Sequence, residues 1–362
     1  MAGRVAIRGR RVGRELDGRL TGARAGDKAG DGDEADHAAA SALARRGTAA
    51  TVDAVLDDSG LEQPVVMQSR LLNRFRHQAG RRWLQTIRAA GIPCMAIKGL
   101  ASGAWLYDRA EDRGISDADL LIAPADLDRT LALLQDHGFA FAEEPTRSRW
   151  GFISQASFQP LLSPDGAVNI DLHVAGDADP FPEALPVETL FAQAREIDGV
   201  CLPAREHAFM IAASHAARDL FTGDAAKTVI DGLLMLRHQA EMAQAETGQA
   251  EMDWAEIARR SRHGHMLRPV SVFTALLHRL DADTSPAARH LPLDRVGGST
   301  FEQVVQDHLR MFPPAESPGT LDRLARQWRL AAAPSVALKR DLRRLAGLVR
   351  PHRGIPRRDT GS

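Results

Sequence analysis

Ser116-Asp117-Ala118-Asp119-Leu120-Leu121-Ile122 sets two carboxylates two residues apart, directly before a run of large apolar side chains. The apolar run predicts a buried strand. Side chains two apart on a strand point to the same face, so Asp117 and Asp119 can converge on one hard cation, with Mg²⁺ as the default. The same spacing also arises at turns and at solvated strand ends. Further on, Val168-Asn169-Ile170-Asp171-Leu172-His173-Val174 alternates strictly. Its apolar members face a core, while Asn169, Asp171 and His173 share the other face. That polar stripe is either a solvent face or, if its strand lies beside the first, the source of a third carboxylate for the same ion. Carboxylates clustered in this way repel one another, so the site without a cation is expected to be electrostatically frustrated.

Working outward, Cys94-Met95-Ala96-Ile97 reads as a short buried strand, ended by Lys98-Gly99 and followed by a helix over Leu100–Tyr107. Gly at such a junction lets a phosphate approach the backbone, the helix N-terminus offers N–H groups, and Lys adds a point charge. The same junction also occurs with no ligand. Apolar positions from Leu61 to Ala90 recur at helical spacing. Pro124 with Leu127, Leu131, Leu134 and a closing Gly138 predicts a second helix. Phe139–Phe141 is predicted as a strand, and Phe158–Leu162 with Ala167–Val174 as a hairpin around Ser163-Pro164-Asp165-Gly166. After Pro203 only helices are predicted: Glu206–Leu220, Ala225–Met242, Trp254–Arg262 and Leu267–Leu280.

This reading divides the chain into a disordered leader over 1–55, an α/β domain over 56–205, a helical domain over 206–305, and a linker with a basic C-terminal helix or tail over 306–362. The leader is rich in Arg, Gly, Ala and Asp and short of large apolar groups. At the other end Leu338, Leu342, Leu345 and Val349 form an apolar stripe among basic residues, suited either to docking on its own domain or to an anionic surface.

Composition excludes several classes. The 362 residues carry 46 Lys and Arg against 47 Asp and Glu, so no global field recruits nucleic acid, which is not expected as a partner. Cys94 and Cys201 lie far apart without metal-ligand spacing, which fits a cytoplasmic location and excludes a disulfide scaffold. No apolar run has the length of a membrane span. Gly223-Asp224-Ala225-Ala226-Lys227-Thr228 imitates a P-loop, but it lacks the Gly before Lys and any strand before it.

Taken in order, Ala96-Ile97-Lys98-Gly99-Leu100, Trp105-Leu106-Tyr107, Arg113, the Asp117 and Asp119 stretch, and Ile170-Asp171-Leu172-His173 resemble the uncharacterised nucleotidyltransferase family of the DNA polymerase beta superfamily. The likeness runs over about residues 60–290 and takes in His207, His215 and Lys227 to Leu234. It implies an α+β fold, a nucleotidyltransferase-like mixed sheet with flanking helices followed by an all-helical domain. It also implies Mg²⁺ or Mn²⁺ held by Asp117, Asp119 and Asp171, with an NTP such as ATP as nucleotide substrate. Lys98 and Gly99 match the position where the superfamily's glycine signature meets the triphosphate. The usual Gly-Ser or Gly-Gly pair is Lys98-Gly99 here, and 17 residues separate Gly99 from Asp117, more than is typical. Within that longer segment Arg113 either holds a phosphate or pairs with Asp112 or Asp117. His173 beside Asp171 is a further candidate. His215 with Asp219 and His207 could share a helix face toward the cleft or be satisfied helix residues. The implied reaction moves a nucleoside monophosphate to an acceptor that is a small molecule, a peptide or a protein. The alternative is a non-catalytic nucleotide-binding or partner-binding accessory protein of the same fold.

Overall fold

The computed structural model describes residues 49–55, 63–141, 160–166, 168–176, 184–222, 225–244, 252–280, 282–309 and 320–330, with 335, 337, 338 and 342. Helix α1 spans Ala49–Val55 and α2 spans Gln63–Ala89, followed by strand β1, Cys94–Ala96, and helix α3, Lys98–Trp105. A short 3-10 turn at Ala110–Asp112 leads to β2, Ala118–Ile122. A second at Pro124–Asp126 leads into α4, Leu127–Asp136. Strands β3, Ala140–Phe141, β4, Leu161–Leu162, and β5, Asn169–His173, complete one sheet of order β1-β2-β5-β4-β3. The β2–β5 pair is parallel and the other pairs are antiparallel, so the sheet is mixed.

The strand alternation decides which layer covers which face. Ala118, Leu120, Ile122, Ile170 and Leu172 join the core beneath α2 and α4. Helix α2 brings Leu84 and Ile87 to that core, and it lies close to β2 because Gly80 has no side chain: a Cβ there would stand 3.1 Å from Ala118 Cβ. Met95, Ile97 and Leu121 point the other way, into a core shared with the C-terminal helices. These are α6, Arg205–Arg218, α7, Ala226–Gln244, α8, Trp254–His263, and α9, Leu267–Arg279, preceded by α5, Val187–Ala192, and the hairpin β6, Arg195–Ile197, with β7, Val200–Leu202. Four-residue α10, Ser285–Ala288, then α11, Ser299–Leu309, and α12, Thr320–Leu330, follow. The architecture is thus α+β, a five-stranded mixed sheet with flanking helices and a C-terminal helical region.

Several expectations need correction. The leader does not run to 55: Ala49, Ala50 and Thr51 are buried in α1, and the Gly114 N–H donates to Thr51 Oγ1 at 2.9 Å. Small residues suffice there because α1 packs closely on α2 and the 3-10 turn. Residues 1–48 lie outside the described residues. The segment predicted as a linker with a basic C-terminal helix or tail contains α12, Thr320–Leu330, whose Arg326 donates to Asp307 Oδ2 at 2.6 Å. Most of the basic C-terminal stripe lies outside the described residues. Helix α3 starts at Lys98 rather than Leu100, which puts Lys98 and Gly99 in its first turn. The hairpin around residues 163–166 forms as expected, closed by Gly166 N–H to Ser163 O at 2.9 Å.

Candidate functional site

Asp119 and Asp171 face each other directly in the β2–β5 register. Both side chains, with His173 two residues further on, lie on the sheet face turned to the C-terminal helices. The polar stripe of β5 is therefore not a solvent face: His173 is 3% exposed. Ligand atoms of Asp119, Asp171 and His173 all lie within 4.8 Å of one another. Asp117, expected beside Asp119, stands just before β2 at the rim, where its Oδ1 accepts from Ser116 Oγ at 2.9 Å.

Lys98 reaches into this group. Its Nζ donates to Asp119 Oδ1 at 2.5 Å and stands 3.2 Å from His173 Nε2. The same Asp119 oxygen accepts from His173 Nε2 at 2.8 Å, and His173 Nε2 is 3.3 Å from Asp171 Oδ2. Lys98 holds φ at 51°, in the left-handed region where a β-carbon is strained and glycine is not. Lys98 thus occupies a backbone conformation that favours glycine while its ammonium lands on Asp119.

The cations change the expected electrostatics. Burial alone would raise the Asp119 carboxyl, but Lys98 and then His173 hold it well below the usual carboxylate range. His173 is pushed down by burial and by Lys98, yet Asp171 and Asp119 outweigh both and raise it above its ordinary value. Asp119 is therefore not frustrated. The frustration resides at Asp117, whose carboxyl is raised by burial and then by Asp119, with Lys98 opposing.

A divalent cation suits these residues on one specific observation. Oδ1 of Asp171 is buried with no hydrogen-bond partner among the described residues, which leaves a hard oxygen donor unused within the Asp119 and His173 cluster. Asp119 and Asp171 would hold the ion, with His173 beside them and Asp117 at the rim. Lys98 would have to withdraw from Asp119.

The remaining sequence candidates occupy different places. Gly99 lies in the first turn of α3 against Ile115, from which a Cβ would be 2.7 Å distant at Cγ2, so close packing explains the glycine. Arg113 pairs with neither Asp112 nor Asp117. Its guanidinium makes a buried two-toothed pair with Asp231 of α7, Nε to Oδ1 at 2.7 Å and Nη2 to Oδ2 at 2.8 Å. His215 flanks a small cavity between α3, α6 and α7, which Lys98, Trp105, Thr228 and Met235 also line. Its Nε2 accepts from Arg218 Nη2 at 2.9 Å, and burial lowers its pKa to about 4. His207 does not share that face; burial lowers it to about 4, with Arg260 of α8 acting in the same direction.

Sequence reasoning missed two residues of α7. Asp231 was read only as part of an apolar helix, and Lys227, one turn earlier, has its pKa lowered to about 8 by burial and then Arg113, while Asp117 opposes. The signal was present as charged residues four apart in an otherwise apolar stretch.

A family model described as uncharacterised nucleotidyltransferase matches residues 37–280. Comparison with curated proteins and with solved structures gave no match. Among the described residues, no helix is long and apolar enough to cross a membrane.

Proposed function

Since the chain belongs to this uncharacterised nucleotidyltransferase family, we propose that it transfers a nucleoside monophosphate from an NTP to an acceptor hydroxyl or phosphate, with release of pyrophosphate. The observation that carries this reading is the pairing of Asp119 with Asp171 on adjacent parallel strands, completed by His173.

In the proposed reaction an acceptor oxygen attacks the α-phosphorus while the bond to the leaving pyrophosphate breaks. Asp117, Asp119 and Asp171 are the proposed metal ligands, and bound Mg²⁺ or Mn²⁺ would neutralise charge on the phosphoryl oxygens. Asp171 also orients the acceptor hydroxyl and takes its proton, on the carboxylate oxygen not given to the ion. Lys98, released from Asp119, would meet the triphosphate at the start of α3, beside Gly99. His173 steadies Asp119 through its 2.8 Å hydrogen bond. The substrates, the acceptor and a cytoplasmic site of action belong to the proposal.

One observation favours a second reading. The ammonium of Lys98 already compensates Asp119, as a retained but non-catalytic nucleotide-binding or partner-binding fold would require. A melting series with and without Mg²⁺, Mn²⁺ and each NTP, joined to a pyrophosphate-release assay, separates the two. The transferase reading expects metal-dependent stabilisation by an NTP and release of pyrophosphate, both lost in Asp119→Asn. Nucleotide stabilisation identical in both proteins, without turnover, would favour the binding protein.

A further inference from the structure

The segment joining α3 to β2 is held from three directions. Helix α2 grips it along one stripe: Arg70 Nε donates to Asp112 Oδ1 at 2.6 Å, Asn73 Nδ2 to Glu111 O at 2.9 Å, and Arg76 Nη1 to Ile115 O at 2.8 Å. His77 Nε2 lies 2.8 Å from Arg113 O, and α1 adds Thr51 on the Gly114 N–H. On its inner side the segment is pressed against α3. A Cβ on Gly103 would stand 2.4 Å from His77 Cε1 and 3.1 Å from Ala110 O, and one on Gly99 would stand 3.5 Å from Arg113 Nη1.

The third hold comes from the C-terminal helices and is made by Asp231. It accepts Arg113 on both oxygens and also accepts Tyr107 OH on Oδ1 at 2.8 Å. Arg113 and Asp231 are 5% and 3% exposed, so the pair is screened little by water. Arg113 also donates through Nη1 to the Gly114 carbonyl, which stiffens the chain on the way to Asp117.

We propose that Asp231 is a positioning residue for Asp117, acting through Arg113, so that the placement of α7 sets the geometry of the carboxylate site. This rests on the reading of Asp117 as a cation ligand. Lys227 lies one turn before Asp231 on α7, so a shift of that helix moves a cation relative to Asp117 as well.

The test separates positioning from stability. Asp231→Asn leaves Arg113 buried without a full counter-charge and is expected to destabilise the fold in either case. The informative protein is the double variant Arg113→Met with Asp231→Leu, because replacing a buried ion pair by apolar side chains of similar volume commonly preserves stability. Mn²⁺ affinity, read by electron paramagnetic resonance titration of the nucleotide-free protein, is expected to fall about tenfold in that variant, as for loss of a group that orients a ligand. Its urea midpoint is expected near that of wild type. Where wild type turns over NTP, kcat is expected to drop by about the same factor with KM for NTP nearly unchanged. Wild-type Mn²⁺ affinity in a folded double variant would overturn the proposal. Arg113→Lys, which keeps the charge but not the two-toothed hold on Asp231, is read in the same way should the double variant not fold: weaker Mn²⁺ binding supports the proposal and unchanged binding overturns it. Absence of turnover in wild type would count against the transferase reading alone, because the affinity comparison needs no turnover.

Discussion

Nζ of Lys98 lies 2.5 Å from Oδ1 of Asp119, so the chain supplies its own cation to the carboxylate expected to bind one. An ammonium and a divalent ion then compete for the same oxygen. In Lys98→Met, Asp119 stays buried and keeps only the His173 hydrogen bond. The variant is expected to be about 3 kcal/mol less stable without divalent ions, the usual cost of removing one partner from a buried pair. Added Mg²⁺ should raise its melting temperature by more than it raises that of wild type. An equal or smaller gain would show that the ion does not use Asp119.

Neutralising Asp117 and neutralising Asp119 are expected to have opposite signs. Lys98 and His173 hold the Asp119 carboxyl low, so its ionised form contributes stability above pH about 4, lost as the pH falls through the folded value. Asp119→Asn should cost about 1–3 kcal/mol at neutral pH, since Lys98 loses its carboxylate. Asp117→Asn should leave the metal-free protein at least as stable as wild type, because burial and Asp119 both disfavour its charge. Urea titrations at neutral pH in the presence of a chelator test both signs. Each variant should lose transfer activity if its carboxylate holds the cation.

The sheet was legible because its strands carry strong patterns. Cys94–Ala96, Ala118–Ile122 and Asn169–His173 each combine apolar residues with turn residues at their ends, and period-two alternation alone put Asp171 and His173 on one face. Which strands are neighbours is a matter of topology, and the resemblance, rather than periodicity, placed β5 beside β2. The partners of the site were not legible. Arg113 and Asp231 are separated by 118 residues, and the polar side chains of α2 that hold the 110–117 segment follow helical spacing on a face that reads as solvated. Helix α1 escaped notice because its burial depends on small side chains, which carry little apolar signal.

Gly103 offers a test of how tightly the segment before β2 is packed. A methyl group there must displace His77 and meet the Ala110 carbonyl, which is backbone and cannot swing aside. Gly103→Ala is expected to lose about 1–3 kcal/mol, as overpacking does, despite the better helix propensity of Ala. Gly297→Ala is the control, since among the described residues no atom beyond its chain neighbours lies within 4 Å of its Cβ position. Differential scanning calorimetry on the two variants should show a drop for the first alone. A neutral Gly103→Ala would mean that α2 and the segment separate easily.

Acid sensitivity should come in part from a histidine remote from the site. Both ring nitrogens of His207 are buried without hydrogen-bond partners among the described residues, and burial, followed by Arg260, lowers its pKa to about 4. An unfolded histidine titrates near pH 6.5, so between about pH 4 and 6.5 the unfolded chain binds a proton that the folded chain refuses. Stability therefore falls as the pH drops through that window, by up to about 1.4 kcal/mol per pH unit for one such group. His207→Leu keeps an apolar side chain in the same place and removes the titration. Its unfolding free energy from urea titrations should change less steeply with pH across the window than that of wild type. Identical slopes would mean that His207 takes up its proton while folded, which requires water or a carboxylate to reach a ring that the α6–α8 contact now seals.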